Sequence, residues 1–264
     1  MTICISAIAQ EAYEEVLVFS TDHMVTTQIG QFEHSIKKYK KINSMVIAML
    51  AGNTLLFDRC LKGINENLDF ISIKKRIKEN MAYLRRECIR DEVYSLYDID
   101  DSFVKELLKQ EISNPFMEKI LGTISEFSLN TNILLIGFDD EGKAQISEIS
   151  EEGYIDFRDV NFHAIGSGTI QAINTLLFQR HSKEDQLNVA LYNVVKAKKN
   201  AEVAEGVGKE TELLILRKKG CTEVSNEDLK KLENVYQCEL KYGKNHQDLN
   251  SLYSIIINKT KEVS

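Results

Sequence analysis

The sequence predicts an α+β fold in which antiparallel β-sheets are covered by helices. Short apolar runs rich in β-branched residues occur in both halves of the chain. A long segment between them, at about 53–127, has its apolar residues at helical spacing. The resulting order is strands, a helical block, strands, two helices and a strand. It differs from the alternating strand–helix order of a parallel, doubly wound sheet and favours antiparallel sheets instead.

The first predicted strands are ICISAIA at 3–9 and VLVFSTD at 16–22, separated by the polar segment QEAYEE. Two such runs across a short polar break predict a hairpin. The next apolar run, MVIAMLAG at 45–52, fits a strand, although its periodicity is also compatible with a buried helix.

The helical block begins near residue 53, where apolar residues recur three and four positions apart. Residues 72–97 and 101–109 continue this pattern. The only proline of the chain, Pro115, predicts a break, since the residue before a proline disfavours helix.

Strand character returns at 132–150, where a DDEGK turn divides two runs, and again at 161–168. Helices are predicted at 169–179 and 184–202, followed by a strand at 211–217. A charged stretch and a final apolar run, YSIIIN at 253–258, complete the chain. Without a repeat or an evident linker, this pattern predicts one domain with a C-terminal appendage.

Composition excludes several classes of function. The 264 residues carry a formal net charge of −7, which disfavours nucleic-acid binding. The basic runs KKYKK at 37–41 and KAKK at 196–199 are interpreted by default as solvated faces. Five scattered cysteines and dispersed histidines indicate reduced thiols and no metal site. No apolar stretch approaches the ~20 residues that span a bilayer. We therefore predict a cytoplasmic protein without a membrane or nucleic-acid partner.

Two short motifs resemble catalytic signatures but fail on spacing. GVGKET at 206–211 lacks the first glycine of a phosphate-binding loop, has Glu210 after its lysine and precedes a strand. GSG at 166–168 is not a nucleophile elbow, because Ile165 stands where that motif needs a glycine. Neither predicts a site.

Five segments in order resemble the proteasome β-type subunits and their bacterial peptidase relatives, the N-terminal nucleophile hydrolases of threonine type. They are MTICISAIA, VLVFSTDHMVTT, IKKYKKINSMVIAMLAG, ILLIGFDDEGKAQISEIS and FHAIGSGTIQAINTL. The resemblance implies a four-layer αββα sandwich over residues 1–217, with residues 218–264 as a C-terminal extension outside the match. It also implies a homo-oligomeric ring that acts on peptide or unfolded protein without a cofactor. An ATP-driven unfoldase partner is compatible with it, although no feature of the sequence indicates one.

The resemblance implies five site residues: Thr2, Asp22, Lys38, Gly52 and Ser167. Removal of Met1 would leave Thr2 with a free amine, whose ordinary pKa of ~7.7–8.0 suits a general base, next to a nucleophilic hydroxyl. Lys38 is expected to lower the pKa of both groups, and Asp22 to pair with it. The Gly52 N–H would stabilise an oxyanion, and Ser167 would bind the amine or a water. Each residue also has an ordinary structural interpretation: Thr2 as a strand residue, Asp22 and Gly52 as turn residues, and Ser167 as a helix cap. For Lys38, the alternative is that a neighbouring lysine occupies the site.

The sequence also departs from the family pattern. Glu202 and Glu205 stand where catalytic subunits carry an Asp and a Ser, and no arginine follows Asp22. These departures leave three alternatives beside the peptidase: an inactive scaffold subunit of a ring, an N-terminal nucleophile amidase acting on a small molecule, and a simple binding module.

Overall fold

The structure is a computed structural model that describes residues 2–27, 30–34, 36–109 and 115–242. Within these residues, the first sheet has five antiparallel strands in the order β10–β1–β2–β11–β12. Its strands are β1 (Ile3–Glu11), β2 (Glu14–Asp22), β10 (Phe162–Gly166), β11 (Thr211–Arg217) and β12 (Gly220–Glu223).

The second sheet also has five antiparallel strands, in the order β5–β6–β7–β8–β9. They are β5 (Tyr39–Lys41), β6 (Val46–Gly52), β7 (Thr131–Phe138), β8 (Ala144–Ile149) and β9 (Tyr154–Asp156). A separate small hairpin joins β3 (Met24–Thr27) to β4 (Gly30–Glu33).

The helices fall into two groups along the chain. The first group is α1 (Phe57–Cys60), α2 (Phe70–Cys88), α3 (Ser95–Tyr97), α4 (Asp101–Leu107) and α5 (Pro115–Glu126). A 3₁₀ turn (Thr54–Leu56) precedes α1, and a π-helical turn (Ile89–Tyr94) joins α2 to α3. The second group is α6 (Thr169–Phe178), α7 (Leu187–Ala201) and α8 (Asn226–Tyr242).

Local sequence explains where several of these helices begin. The Asp69 carboxylate accepts a 2.7 Å hydrogen bond from the Ser72 N–H and so caps α2. Asp100 caps α4 in the same way through the Phe103 N–H. Both carboxylates satisfy amide groups that the first turn of a helix leaves without a partner. Pro115 opens α5, a position at which its missing N–H costs nothing.

Apolar side chains alternate between the two faces of each sheet, so the core has three layers of contact. On β1, Ile3, Ile5, Ala7 and Ala9 pack toward α6, α7 and α8, whereas Cys4 and Ile8 pack between the sheets. On β6, Ile47 and Met49 meet them there, and Val46, Ala48 and Leu50 face α2. The layers therefore run helix, sheet, sheet, helix. This order confirms the predicted α+β class with two antiparallel sheets.

The structure differs from the sequence-based expectations at element ends and in several elements that were not expected. The first hairpin extends through most of the polar segment QEAYEE, because Ala12 and Tyr13 adopt positive φ and make a tight turn. Residues 218–242, assigned to the C-terminal extension, supply β12 and α8, whose Leu229 and Leu232 join the core beside the first sheet. The predicted run at 253–258 and the residue before Pro115 lie outside the described residues.

No helix among the described residues combines the length and apolar composition that crossing a bilayer requires.

Candidate functional site

Thr2 lies at the end of the first sheet where β1 begins and its neighbours β2 and β10 finish. The pairing of β1 with β2 and β10 places Ile3 opposite Gly166, and brings the end of β2, Asp22, beside the start of β1. The Ile3 N–H donates to Asp22 Oδ1 at 3.2 Å. The Thr2 hydroxyl donates to the same carboxylate oxygen. Thr2 is 2% exposed, so this hydroxyl is held in a fixed environment.

Lys38 reaches the same point from the second sheet. It precedes β5, and its carbonyl accepts from the Leu50 N–H of β6 at 2.9 Å. Its ammonium donates to Thr2 Oγ1 at 2.5 Å, to Asp22 Oδ1 at 3.2 Å and to the Met24 carbonyl. These acceptors match the three protons of an ammonium group. The side chains of Lys38 and Asp22 are 1% and 0% exposed, so the ion pair is buried and fully hydrogen-bonded.

Asp22 is held from a third direction by a loop that follows α7. Its second oxygen, Oδ2, accepts from the Gly208 N–H at 2.7 Å. The carboxylate therefore contacts β1, Lys38 and the 206–210 segment at once.

Gly52 and Gly166 make two close backbone contacts that only glycine tolerates. Gly166 has φ +110°, and a Cβ there would lie 2.2 Å from the Thr2 carbonyl oxygen. Gly52 has φ +111°, and a Cβ there would lie 1.9 Å from the Asn130 carbonyl oxygen. L-residues rarely adopt such φ values, and neither contact leaves room for a methyl group.

Thr2, Gly52, Gly166 and Ser167 line one cavity of about 850 Å³. The cavity continues along the second sheet past residues of β7, β8 and β9 and of the 150–153 turn. Ser167 is exposed there, and its N–H and hydroxyl both donate to the Thr2 carbonyl, at 2.9 and 3.3 Å. A cavity of this size accommodates a small molecule or several residues of a peptide.

All five predicted site residues lie at this place. Thr2, Asp22 and Lys38 form one hydrogen-bonded group, while Gly52 and Ser167 share a cavity with Thr2. Ser167 does not cap α6 with its side chain, since Gly168 is the N-cap residue. Its observed partner is the Thr2 carbonyl.

Two site residues were missed by the sequence analysis. Gly208 belongs to GVGKET, and its N–H donates to Asp22 Oδ2. Lys198 belongs to KAKK, and the interpretation of that run as a solvated face is wrong for this residue. Its side chain is 0% exposed and pairs with Glu202 at 2.7 Å. The same correction applies to Lys38 within KKYKK.

Cys4 is the other nucleophilic side chain near this group. Burial, reinforced by the Asp22 carboxylate, raises the pKa of the Cys4 thiol far above its usual range. Its sulfur contacts the Leu50 carbonyl at 3.5 Å. Since the thiolate is the reactive form of cysteine, burial disfavours Cys4 as a nucleophile.

The ranges that the structure describes contain no group of three or more His, Cys, Asp or Glu side chains positioned to bind a metal ion.

Comparison of the sequence with protein-family models finds no match, and comparison with curated proteins finds none either.

Proposed function

We propose that this chain is a proteasome-like N-terminal threonine hydrolase that cleaves peptide bonds, with Thr2 as nucleophile once Met1 has been removed. One observation carries the proposal. Lys38, beside the second sheet, and Asp22, in the first, both bind the Thr2 hydroxyl, and Thr2 lines an 850 Å³ cavity. Thr2 is thus a cavity-lining residue, 2% exposed, whose hydroxyl has a cation 2.5 Å away.

The chemistry assigns a role to each group. A freed Thr2 amine would act as general base, since its ordinary pKa lies near neutrality. Attack by Oγ1 on a peptide carbonyl would break the C–N bond, release the amine-side product with the proton that the Thr2 amine took from Oγ1, and leave an acyl-enzyme that water hydrolyses to the acid-side product. The Lys38 ammonium would stabilise the negative charge that develops on Oγ1. Asp22 would hold Lys38 in place, and backbone N–H groups near Gly52 would receive the oxyanion.

The proposal extends to fold family and assembly. The helix–sheet–sheet–helix order supports an N-terminal nucleophile hydrolase fold, because that fold consists of two antiparallel sheets between helical layers. We further propose a cytoplasmic homo-oligomeric ring that takes peptide or unfolded protein as substrate. Native mass spectrometry of the full chain tests the assembly. A monomer at all concentrations would contradict the ring and leave the proposed chemistry to be judged separately.

The first test combines the mature N-terminus with a substitution. Intact-mass analysis is expected to show loss of Met1 on most chains. Thr2→Ala is expected to lower kcat/KM for fluorogenic peptides by about 1,000-fold or more, as loss of a nucleophile does. Thr2→Ser, which keeps a hydroxyl, should retain part of the activity.

Thr175→Ala provides the matched control, because Thr175 is a buried threonine on α6 whose hydroxyl donates to the Gln171 carbonyl. It should leave peptide hydrolysis unchanged. Retention of Met1 on nearly all chains would overturn the threonine mechanism. Thr2-dependent hydrolysis of small amides without peptide cleavage would instead identify an amidase, and an inactive ring would identify a scaffold subunit.

A further inference from the structure

Lys198 is a fully buried cation that the proposed mechanism does not use. It lies near the end of α7, and its side chain is 0% exposed. Its ammonium donates to Glu202 Oε1 at 2.7 Å and to the Gly208 carbonyl at 2.6 Å. Burial lowers the pKa of Lys198, and the hydrogen bond that Lys198 donates to Glu202 opposes this shift. A buried charge is retained in a fold only when such partners compensate its lost hydration.

Gly208, whose carbonyl binds Lys198, also contacts the candidate site. Gly208 accepts from Lys198 through its carbonyl and donates to Asp22 Oδ2 through its N–H, at 2.7 Å. Asp22 Oδ1 in turn binds Thr2 and Lys38. A continuous series of hydrogen bonds therefore runs from Lys198 through Gly208 to Asp22 and on to the Thr2 hydroxyl.

The space around Gly208 shows how closely this loop is held. A Cβ at Gly208 would lie 2.9 Å from Glu33 Oε1 and 3.1 Å from the Met24 nitrogen. The same Glu33 oxygen accepts from the Glu210 N–H at 2.9 Å. The loop is thus fixed against the β3–β4 hairpin on one side and by Lys198 on the other.

We propose that Lys198 is a positioning residue for the candidate catalytic group, acting through Gly208 to hold the Asp22 carboxylate against Thr2 and Lys38. The catalytic part of this inference rests on the proposed function, whereas the hydrogen-bonded series from Lys198 to Asp22 does not depend on it. It also gives a role to Glu202, which replaces the aspartate expected from the family resemblance. Glu202 serves as the counter-ion of Lys198.

Lys199 is a natural control for this role. It follows Lys198 in α7 and pairs with the same Glu202 oxygen at 3.0 Å and with Glu233 at 2.7 Å. Its described ion pairs involve these two carboxylates rather than the loop at Gly208. Lys199→Met therefore removes a charge from the same cluster without removing the contact to Gly208.

The test compares Lys198→Met, Lys198→Arg and Lys199→Met in the full chain. The amide signal of Gly208 in a ¹⁵N–¹H NMR spectrum reports its hydrogen bond to Asp22, and its hydrogen-exchange rate reports the strength of that bond. We expect Lys198→Met to shift this signal and speed its exchange, Lys198→Arg to restore both partly, and Lys199→Met to change neither.

Kinetics provide the second readout. Lys198→Met is expected to lower kcat for peptide hydrolysis by about 10-fold, as is typical when a group behind a functional side chain is removed. KM should stay within about twofold, because the cavity walls are unchanged. In Lys198→Met, Glu202 keeps Lys199 as a partner, and this pairing favours folding. If Lys198→Met does not fold, Lys198→Gln replaces it, because its shorter amide does not reach Gly208.

The outcomes separate the inference from the proposed function. An unchanged Gly208 signal in Lys198→Met, or equal changes in Lys199→Met, overturns the positioning role whatever the activity. A shifted Gly208 signal in a protein without Thr2-dependent hydrolysis upholds the linkage and overturns the peptidase.

Discussion

Lys38→Met is expected both to lower Thr2-dependent hydrolysis strongly and to destabilise the fold. The variant removes the cation that donates to Thr2 Oγ1 at 2.5 Å, so the charge developing on that oxygen loses its nearest stabiliser. A loss of about 100-fold or more in kcat is expected for such a group. Fluorogenic peptide assays measure it.

Stability should fall for a separate reason. Without Lys38, the fully buried Asp22 carboxylate loses its ion-pair partner. Breaking a buried pair by removing one partner costs about 3–5 kcal/mol. Chemical denaturation followed by circular dichroism gives the free energy of unfolding of the variant and the wild type.

Lys37→Met is the control for this prediction. Lys37 is the neighbouring lysine of the same basic run, but its side chain is 55% exposed and donates to the Tyr39 hydroxyl. Its ammonium also lies 3.9 Å from Glu212 Oε1, so its loss should change the free energy of unfolding by no more than about 1 kcal/mol, as for an exposed ion pair. Equal effects of the two substitutions would show that the lysine of the site had been assigned to the wrong residue.

The fold class was predictable because the apolar runs are strong and short. β1 and β6 are buried on both faces, so their sequences are nearly continuous apolar runs without a polar alternation. That same feature left residues 45–52 open between strand and helix, and only the pairing of β6 with β7 decides it. Local pattern therefore identified the elements, but long-range pairing was needed to assign them.

The strands β3, β4 and β9, which the sequence analysis missed, have weak apolar signals. The β3–β4 hairpin consists of MVTT and GQFE, four-residue segments without a long apolar run in the sequence. β9 is exposed along its whole length and is held by its pairing with β8. In each case backbone pairing with a neighbour creates the strand, and the side chains carry little trace of it.

The candidate site also contains residues that the sequence could identify and residues that it could not. Thr2, Asp22 and Lys38 were identified through the order of five segments, since each carries a functional side chain. Gly208 was missed because it acts through its backbone N–H, which no residue type encodes. Lys198 was missed because KAKK reads as a solvated run, and only the packing of the 202–208 loop over α7 buries it.

Gly52→Ala is the second substitution with a large expected effect, and its cause is steric. Gly52 ends β6 at φ +111°, and an added Cβ would lie 1.9 Å from the Asn130 carbonyl oxygen and 2.9 Å from the Thr131 Cα. Both are backbone atoms, so the clash cannot be relieved by a side-chain rotation. Backbone strain alone costs about 1–3 kcal/mol, and displacement of the strand end adds to it.

Gly63→Ala separates these two costs. Gly63 also has a positive φ, +73°, but a Cβ there would meet nothing within 4 Å. Its substitution should cost only the roughly 1–2 kcal/mol of an L-residue in a left-handed conformation. The thermal unfolding temperature of Gly52→Ala should therefore be clearly below that of Gly63→Ala. Only Gly52→Ala should also lower peptide hydrolysis, because Gly52 shares the cavity wall with Thr2. Equal losses of stability in the two variants would mean that the contact with Asn130 yields easily, and the wall beside Thr2 would then be adaptable rather than fixed.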